Sequence, residues 1–285
     1  MSALAAPAGP LVPLRVGATT VGWLDPARAA RLAAFADAFV ARGDALALLP
    51  ALADAETRTT ALDRVARTLA AEGRLSAWRD EPYAVAERFG APPLFALERA
   101  AARFFGIVTH AAHVNGLVRG DDGVRMWLAR RSPAKPIDPG MLDNLVGGGI
   151  AARQSVAATV VKEAWEEAGV PAALAGSAQP AGTVHLCRAP PDGIQRETIF
   201  VHDLWLPADF VPAGQDGEVV EHRLVTLAEA ARLIALAEGP DVVTADASLV
   251  VVDCLLRHGA IAPDVPGYVD LDVLRHPALT PGARR

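Results

Sequence analysis

The spacing of apolar residues changes along the chain. From Pro26 it is helical: Ala30, Leu32, Ala33, Phe35, Ala36 and Phe39 share one side, and Arg42-Gly43 reads as a stop. A second helix is expected from Ala53 to Glu72, with Leu62, Val65, Ala66 and Leu69 on one face and Gly73 closing it. Residues 75–85 mix aromatic, apolar and charged positions and read as a short helix or strand. Beyond Pro92-Pro93, the residues Leu94, Leu97, Ala101 and Phe104 line one side of a further helix over 94–105. Residues 1–15, broken by prolines, read as a loose tail. Residues 1–105 are therefore expected to form a small, mostly helical module.

After Phe105 the period shortens to two. Residues 107–119 and 124–130 read as strands joined by Gly120-Asp121-Asp122-Gly123, residues that tolerate the positive φ of a tight hairpin. Val124, Met126 and Leu128 alternate with Arg125 and Trp127, so one face is expected to be buried. Strands are also expected over 183–188, 198–205 and 218–224. Helices are expected over 155–168, 227–237 and 244–258, the last capped by Thr244 or Asp246. This gives an α/β domain over 106–262 and a tail over 263–285.

Composition narrows the function classes. The 27 basic and 33 acidic residues give a net charge of −6, so there is no basic field for nucleic acid. An anionic small molecule would need local arginines and lysines. No run of about 18 uncharged apolar residues marks a membrane span. The N-terminus lacks the basic and uninterrupted apolar regions of a signal peptide. The two cysteines, Cys187 and Cys254, are far apart and without ligand spacing, which fits a reducing cytoplasm. Neither a dinucleotide fingerprint nor a P-loop is present.

The densest chemistry lies in Gly147–Val170, GGGIAARQSVAATVVKEAWEEAGV. On a helix over 155–168, the residues Val156, Ala157, Val160, Val161, Ala164, Trp165 and Ala168 fill one half of the wheel. Glu163 and Glu166 fall opposite, and Glu167 sits at the border. Their i, i+3, i+4 spacing makes the three carboxylates neighbours. Grouped carboxylates repel one another unless a cation sits among them, and all-oxygen donors select hard ions such as Mg²⁺ or Mn²⁺. The preceding glycines allow close backbone approach.

This stretch resembles the Nudix box, G-x5-E-x7-R-E-U-x-E-E-x-G-U. Gly148, Glu163, Glu166, Glu167, Gly169 and Val170 match in register, while Gln154, Lys162 and Ala164 depart from it. The resemblance implies an α/β/α sandwich around a mixed sheet and metal-assisted hydrolysis of a diphosphate. It implies Glu163, Glu166 and Glu167 as catalytic metal ligands, the carbonyl of Gly147 as a backbone ligand, and a further carboxylate outside the box, for which Glu218 is favoured over Glu221. Arg131 and Lys135 are candidates for clamping the diphosphate, and Asn115, His113 and Trp127 for contacting a heteroaromatic ring.

The segments ALERAAARFFGIVTHAAHVNG and MWLARRSPAKPIDPGMLDNLVGGGI are also similar to a Nudix subgroup with an N-terminal helical extension, labelled thiamine-pyrophosphokinase-related. That similarity implies a diphosphatase acting on thiamine diphosphate or its oxidised oxo and oxy analogues, which removes damaged cofactor. Two other readings stand beside it. One is a Nudix hydrolase of a nucleoside diphosphate derivative. The other, motivated by Gln154 and Lys162, is a Nudix-fold binding or regulatory protein. Either a monomer or a homodimer fits.

Overall fold

The computed structural model describes residues 9–279. The N-terminal unit contains β1 (Val12–Val16), β2 (Thr19–Leu24), α1 (Pro26–Ala33), β3 (Phe39–Arg42), β4 (Ala45–Leu48) and α2 (Ala55–Ala71). The four strands form one sheet in the order β2-β1-β4-β3. A two-stranded ribbon of β5 (Pro82–Val85) and β6 (Phe95–Glu98) follows, then a 3₁₀ turn at Arg99–Ala101 and α3 (Ala102–Phe105).

The expectation of a mostly helical module is corrected here, because six of its ten elements are strands. Residues 12–16 are a strand and not a loose tail; residues 1–8 of that stretch lie outside the described residues. Phe39, which fits helical spacing after Phe35, begins a strand and packs into the core instead. Leu94–Phe105 is not one helix: Phe95 and Leu97 point inward from β6. Short strands rich in alanine satisfy both periods, and tertiary packing chooses between them. Helix α2 forms as expected. Asp54 accepts from the Thr57 N–H at 2.8 Å in a capping box, and Leu62, Val65, Ala66 and Leu69 are fully buried.

The second domain runs through β7 (Val108–Gly120), β8 (Gly123–Arg131), β9 (Leu142–Asn144), β10 (Val146–Gly149), α4 (Val156–Ala168), α5 (Ala172–Ala175), β11 (Gln179–Arg188), β12 (Gln195–Trp205), β13 (Val219–Thr226), α6 (Leu227–Leu233) and α7 (Ala245–Arg257). Its seven-stranded sheet has the path β11-β12-β7-β8-β13, with β10 on β7 and β9 on β8. The pairing of β12 with β7 is parallel and the others are antiparallel, so the sheet is mixed. Met126 and Leu128 are fully buried, as the alternation requires. Helix α4 packs on one face through Val160, Ala164 and Ala168, against Ala112, Val114 and Val146. Helices α6 and α7 cover the other through Ala230, Leu233, Val251 and Leu255. This is an α/β/α sandwich. Beyond it, α8 (Tyr268–Leu274) lies in the expected C-terminal tail, and the chain after it is tied back where the Arg275 carbonyl accepts from the His185 N–H at 2.7 Å. No helix among the described residues is long and apolar enough to cross a membrane.

The two units meet closely. The Trp23 N–H donates to the Gly106 carbonyl at 3.1 Å. Gly106 has φ +56°, and a Cβ there would meet the Trp23 carbonyl oxygen at 1.9 Å, so the seam accepts only glycine. The Ala152 N–H reaches the Pro82 carbonyl at 2.8 Å, which joins the β5 ribbon to the loop ahead of α4.

Candidate active site

Helix α4 starts where Ser155 accepts from the Ala158 N–H at 3.1 Å and ends at Gly169, φ +64°, in a left-handed cap. Two positions of the expected apolar half are corrected: Ala157 and Trp165 are exposed. The sheet lies more to the side of Thr159 and Glu167, both buried. That rotation carries Glu167 inward, where it accepts from the Gly147 N–H at 2.8 Å. Glu163 lies directly on Gly148, because a Cβ on that glycine would fall 2.4 Å from the Glu163 Cγ. Lys162 donates to Glu163 at 3.0 Å and to Glu166 at 2.8 Å, taking the place of the usual box arginine as a point charge.

Burial pushes the Glu167 carboxyl well above the ordinary range; the Gly147 N–H opposes this, while Asp143 and Glu163 add to it. Burial likewise raises Glu163, against the hydrogen bond from Lys162. Packed, partly desolvated carboxylates fit a hard divalent cation, whose charge would remove their mutual repulsion.

Beside the glycine strand lies a cavity of about 170 Å³. Strand β10 pairs with β7 so that Gly147 faces His113 and Gly149 faces Ala111. Further along β7, Thr109 pairs with Glu197 of β12. At about 3.3 Å per residue the cavity wall from His113 to Thr109 spans roughly 13 Å. At the Thr109 end, Glu197 accepts from Thr109 at 2.9 Å and from Gln195 at 3.2 Å. Burial raises the Glu197 carboxyl and Asp246 raises it further; Asp138 is raised by the same two causes. Tyr83, Arg99 and Arg103 of the N-terminal unit close the opposite side.

The other residues singled out from sequence divide. Arg131 lines the cavity, but its guanidinium is held by Asp143 at 2.9 Å and by the Ile137 carbonyl at 3.0 Å. Lys135 and Arg79 both pair with Glu218. Against the cost of burial, hydrogen bonds from these two cations draw the Glu218 carboxyl down to about 2. Glu221 turns away to Arg130 across a bulge in β13, as the spacing of the two glutamates requires.

Neither Asn115 nor Trp127 lines this cavity. Asn115 is fully buried and donates to Asp203 at 3.0 Å. Trp127 packs into the α4 core. His113 does line the cavity, with Nδ1 2.7 Å from the Asn144 Oδ1. Asp203, Cys254 and His258 also lie together, but Arg257 spans both Asp203 oxygens and burial pushes the Cys254 thiol up to about 12. That group is an ion-paired core network and not a donor set for a cation.

Tyr83, Arg99 and Glu197 were not legible as site residues. The one available signal was Glu197 itself, an acidic residue on the inward face that Ile199 and Val201 continue.

Residues 109–247 match the NUDIX domain family, and residues 5–109 match a domain of unknown function, DUF4743. Nudix hydrolase 24, chloroplastic, of Arabidopsis thaliana is 38% identical over 265 residues, covering 92% of this chain and 72% of the relative. Nudix hydrolase 20, chloroplastic, of the same plant is 41% identical over 216 residues, 76% of this chain and 57% of the relative. The uncharacterized protein YJR142W of Saccharomyces cerevisiae is 33% identical over 244 residues, 79% of this chain and 70% of that one. The likeness to the first plant protein runs through both units, and the glutamates against the glycine strand supply the chemistry that such proteins share: the chain belongs to the Nudix hydrolases, which act on diphosphate bonds.

Proposed function

We propose that the protein is a Mg²⁺-dependent diphosphatase of thiamine diphosphate or its oxidised analogues, releasing the monophosphate and phosphate. One observation carries this reading: the cavity has a bare glycine strand at one end and a group of carboxyls at the other. The glycine strand and His113 line one end, with Glu163 packed on the far face of that strand, and the carboxyls of Glu197, Asp138 and Asp246 gather toward the other. An organic diphosphate whose heterocycles bear an amino group and a positive charge complements that arrangement better than a neutral nucleobase does. Thr109, Gln195 and Glu197 offer donors and acceptors for the pyrimidine edge.

Glu163, Glu166 and Glu167, with the Gly147 carbonyl, would hold the divalent ion; Glu218 joins them only by giving up Lys135 or Arg79. When bound, the ion supplies charge neutralisation of the diphosphate and a more acidic attacking water. The protein residues orient the reacting groups. Glu167 is anchored by the Gly147 N–H, and Glu163 lies over Gly148, positioned to accept a proton from water.

Phosphate release measured with Mg²⁺ on thiamine diphosphate, its oxo and oxy analogues, ADP-ribose and nucleoside diphosphates tests the proposal. The thiamine compounds are expected to have the highest kcat/KM. Much faster cleavage of ADP-ribose than of every thiamine compound would overturn it.

A further inference from the structure

The N-terminal unit, residues 5–109 of which match a domain without known function, carries side chains into the active-site cavity. Its ribbon is locked in place for that task. Glu98 is buried and its carboxylate accepts from the Arg79 and Glu81 N–H groups, both at 3.0 Å, while the Arg99 N–H donates to the Glu81 carbonyl at 3.1 Å. These bonds fix the backbone of Arg99 at the turn after β6. Tyr83, on the facing strand, projects onto the glycine strand: a Cβ on Gly149 would lie 2.0 Å from its hydroxyl oxygen.

The Arg99 guanidinium sits over the Tyr83 ring, 5.6 Å from its centroid, and lines the cavity. Its Nη1 pairs with Glu81, and among the described residues its Nε and Nη2 donate no hydrogen bond to protein. Arg131, by contrast, spends its guanidinium on Asp143 and backbone carbonyls. Arg103 is paired with Asp192 at 3.2 Å. Arg99 and Arg103 each keep Nε and Nη2 free among the described residues, and of the two it is Arg99 that sits over the Tyr83 ring against the glycine strand, within electrostatic reach of Glu163. A fork of free N–H groups at the glycine strand matches the oxygens of a diphosphate.

From this arrangement we infer that Arg99 is a substrate-binding residue for the diphosphate, so that the N-terminal unit is an integral wall of the active site. Tyr83 supports the guanidinium, and Glu81 is its counter-ion in the absence of substrate. The inference rests on the reading of the site as a diphosphatase.

The test uses the full chain, with methylenediphosphonate as a non-hydrolysable probe and calorimetric titration in Mg²⁺. Arg99→Gln is expected to weaken probe binding by about tenfold or more. Its Mn²⁺ affinity without probe should stay unchanged, and Arg99→Lys should recover part of the loss. Glu81→Gln, which frees the guanidinium, is expected to tighten probe binding. Unchanged probe affinity in folded Arg99→Gln overturns the assignment. So does unchanged or weaker binding in Glu81→Gln, which decides the matter if Arg99→Gln does not fold. Wild-type protein that fails to bind the probe in Mg²⁺ would instead remove the diphosphatase reading itself.

Discussion

The buried carboxylate of Glu167 accepts a hydrogen bond from the backbone N–H of Gly147 at 2.8 Å, which ties the α4 helix to the glycine strand. Without a cation, that bond does not offset the desolvation and repulsion that raise the Glu167 carboxyl. A carboxyl with a raised folded pKa binds more protons folded than unfolded, so its contribution falls as pH rises from the unfolded value through the folded one. Glu167→Gln is therefore expected to raise the melting temperature of metal-free protein at pH 8 and to change it little at pH 4. Thermal melts in chelator at both pH values check this; a lower melting temperature at pH 8 contradicts it.

Catalysis should depend on the exposed edge of the same cluster. Glu166 is held only by Lys162 and is partly exposed, so Glu166→Gln should fold normally. Losing one charged donor is expected to lower kcat by about 100-fold or more. Steady-state phosphate release, with circular dichroism to confirm folding, measures it. Wild-type turnover in this variant would show that Glu166 does not hold the catalytic ion, whereas no phosphate release by the unaltered protein would favour the binding-protein reading raised by Gln154 and Lys162.

Gly148 has no room for a side chain. A Cβ would stand 2.8 Å from the Glu163 Oε1 as well as against its Cγ, so Gly148→Ala must displace that glutamate. The cost in stability should be about 1–3 kcal/mol by urea denaturation. A weaker Mn²⁺ affinity should accompany it, read by calorimetry.

His110 sets an acid limit. Its ring packs at a tilt against Phe89, centroids 4.6 Å apart, and burial pushes its pKa down to about 4 from 6.5. A depressed histidine stabilises the fold fully above its unfolded pKa, and that stability is lost as pH falls from 6.5 toward 4. The loss should be on the order of 3 kcal/mol across that window. Urea denaturation of wild type and His110→Gln should show the slope reduced in the variant, and equal slopes would rule the residue out.

Gln154 occupies the first glutamate position of the box and takes only a 3.3 Å contact from Thr159. Gln154→Glu adds a charge just ahead of α4 and is expected to tighten Mn²⁺ binding with equal or higher activity. Unchanged metal dependence would place this position outside the influence of the ion.

What could be read from the sequence followed from the strength of the local signals. The β7–β8 hairpin combines a two-residue aspartate turn with strict alternation, and α4 carries its cap, apolar stripe and closing glycine within one segment. The N-terminal sheet uses strands of four to six residues, too short for a period to declare itself. The cavity was hidden for another reason. Tyr83, Arg99 and Glu197 belong to three separate strands or turns, and the contacts between the two units at Gly106 and Pro82 bring them together. A polar strand residue near a motif, such as Asn115, looks the same in sequence whether it meets a ligand or, as its amide does here, donates to Asp203 inside the core.

Gly147, Gly148 and Gly149 form a partition one backbone thick, with Glu163 pressed on one side and His113 and Tyr83 on the other. A strand this bare has no side chains with which to discriminate among substrates, and it cannot acquire any without breaking the wall. Selectivity must then reside in the flanking surfaces, several of which come from the N-terminal unit. Among relatives that keep the same glycine strand, new preferences would arise by changing residues such as Tyr83 and Arg99 while the hydrolytic apparatus stays as it is. The partition thus separates what the enzyme cuts from how it cuts.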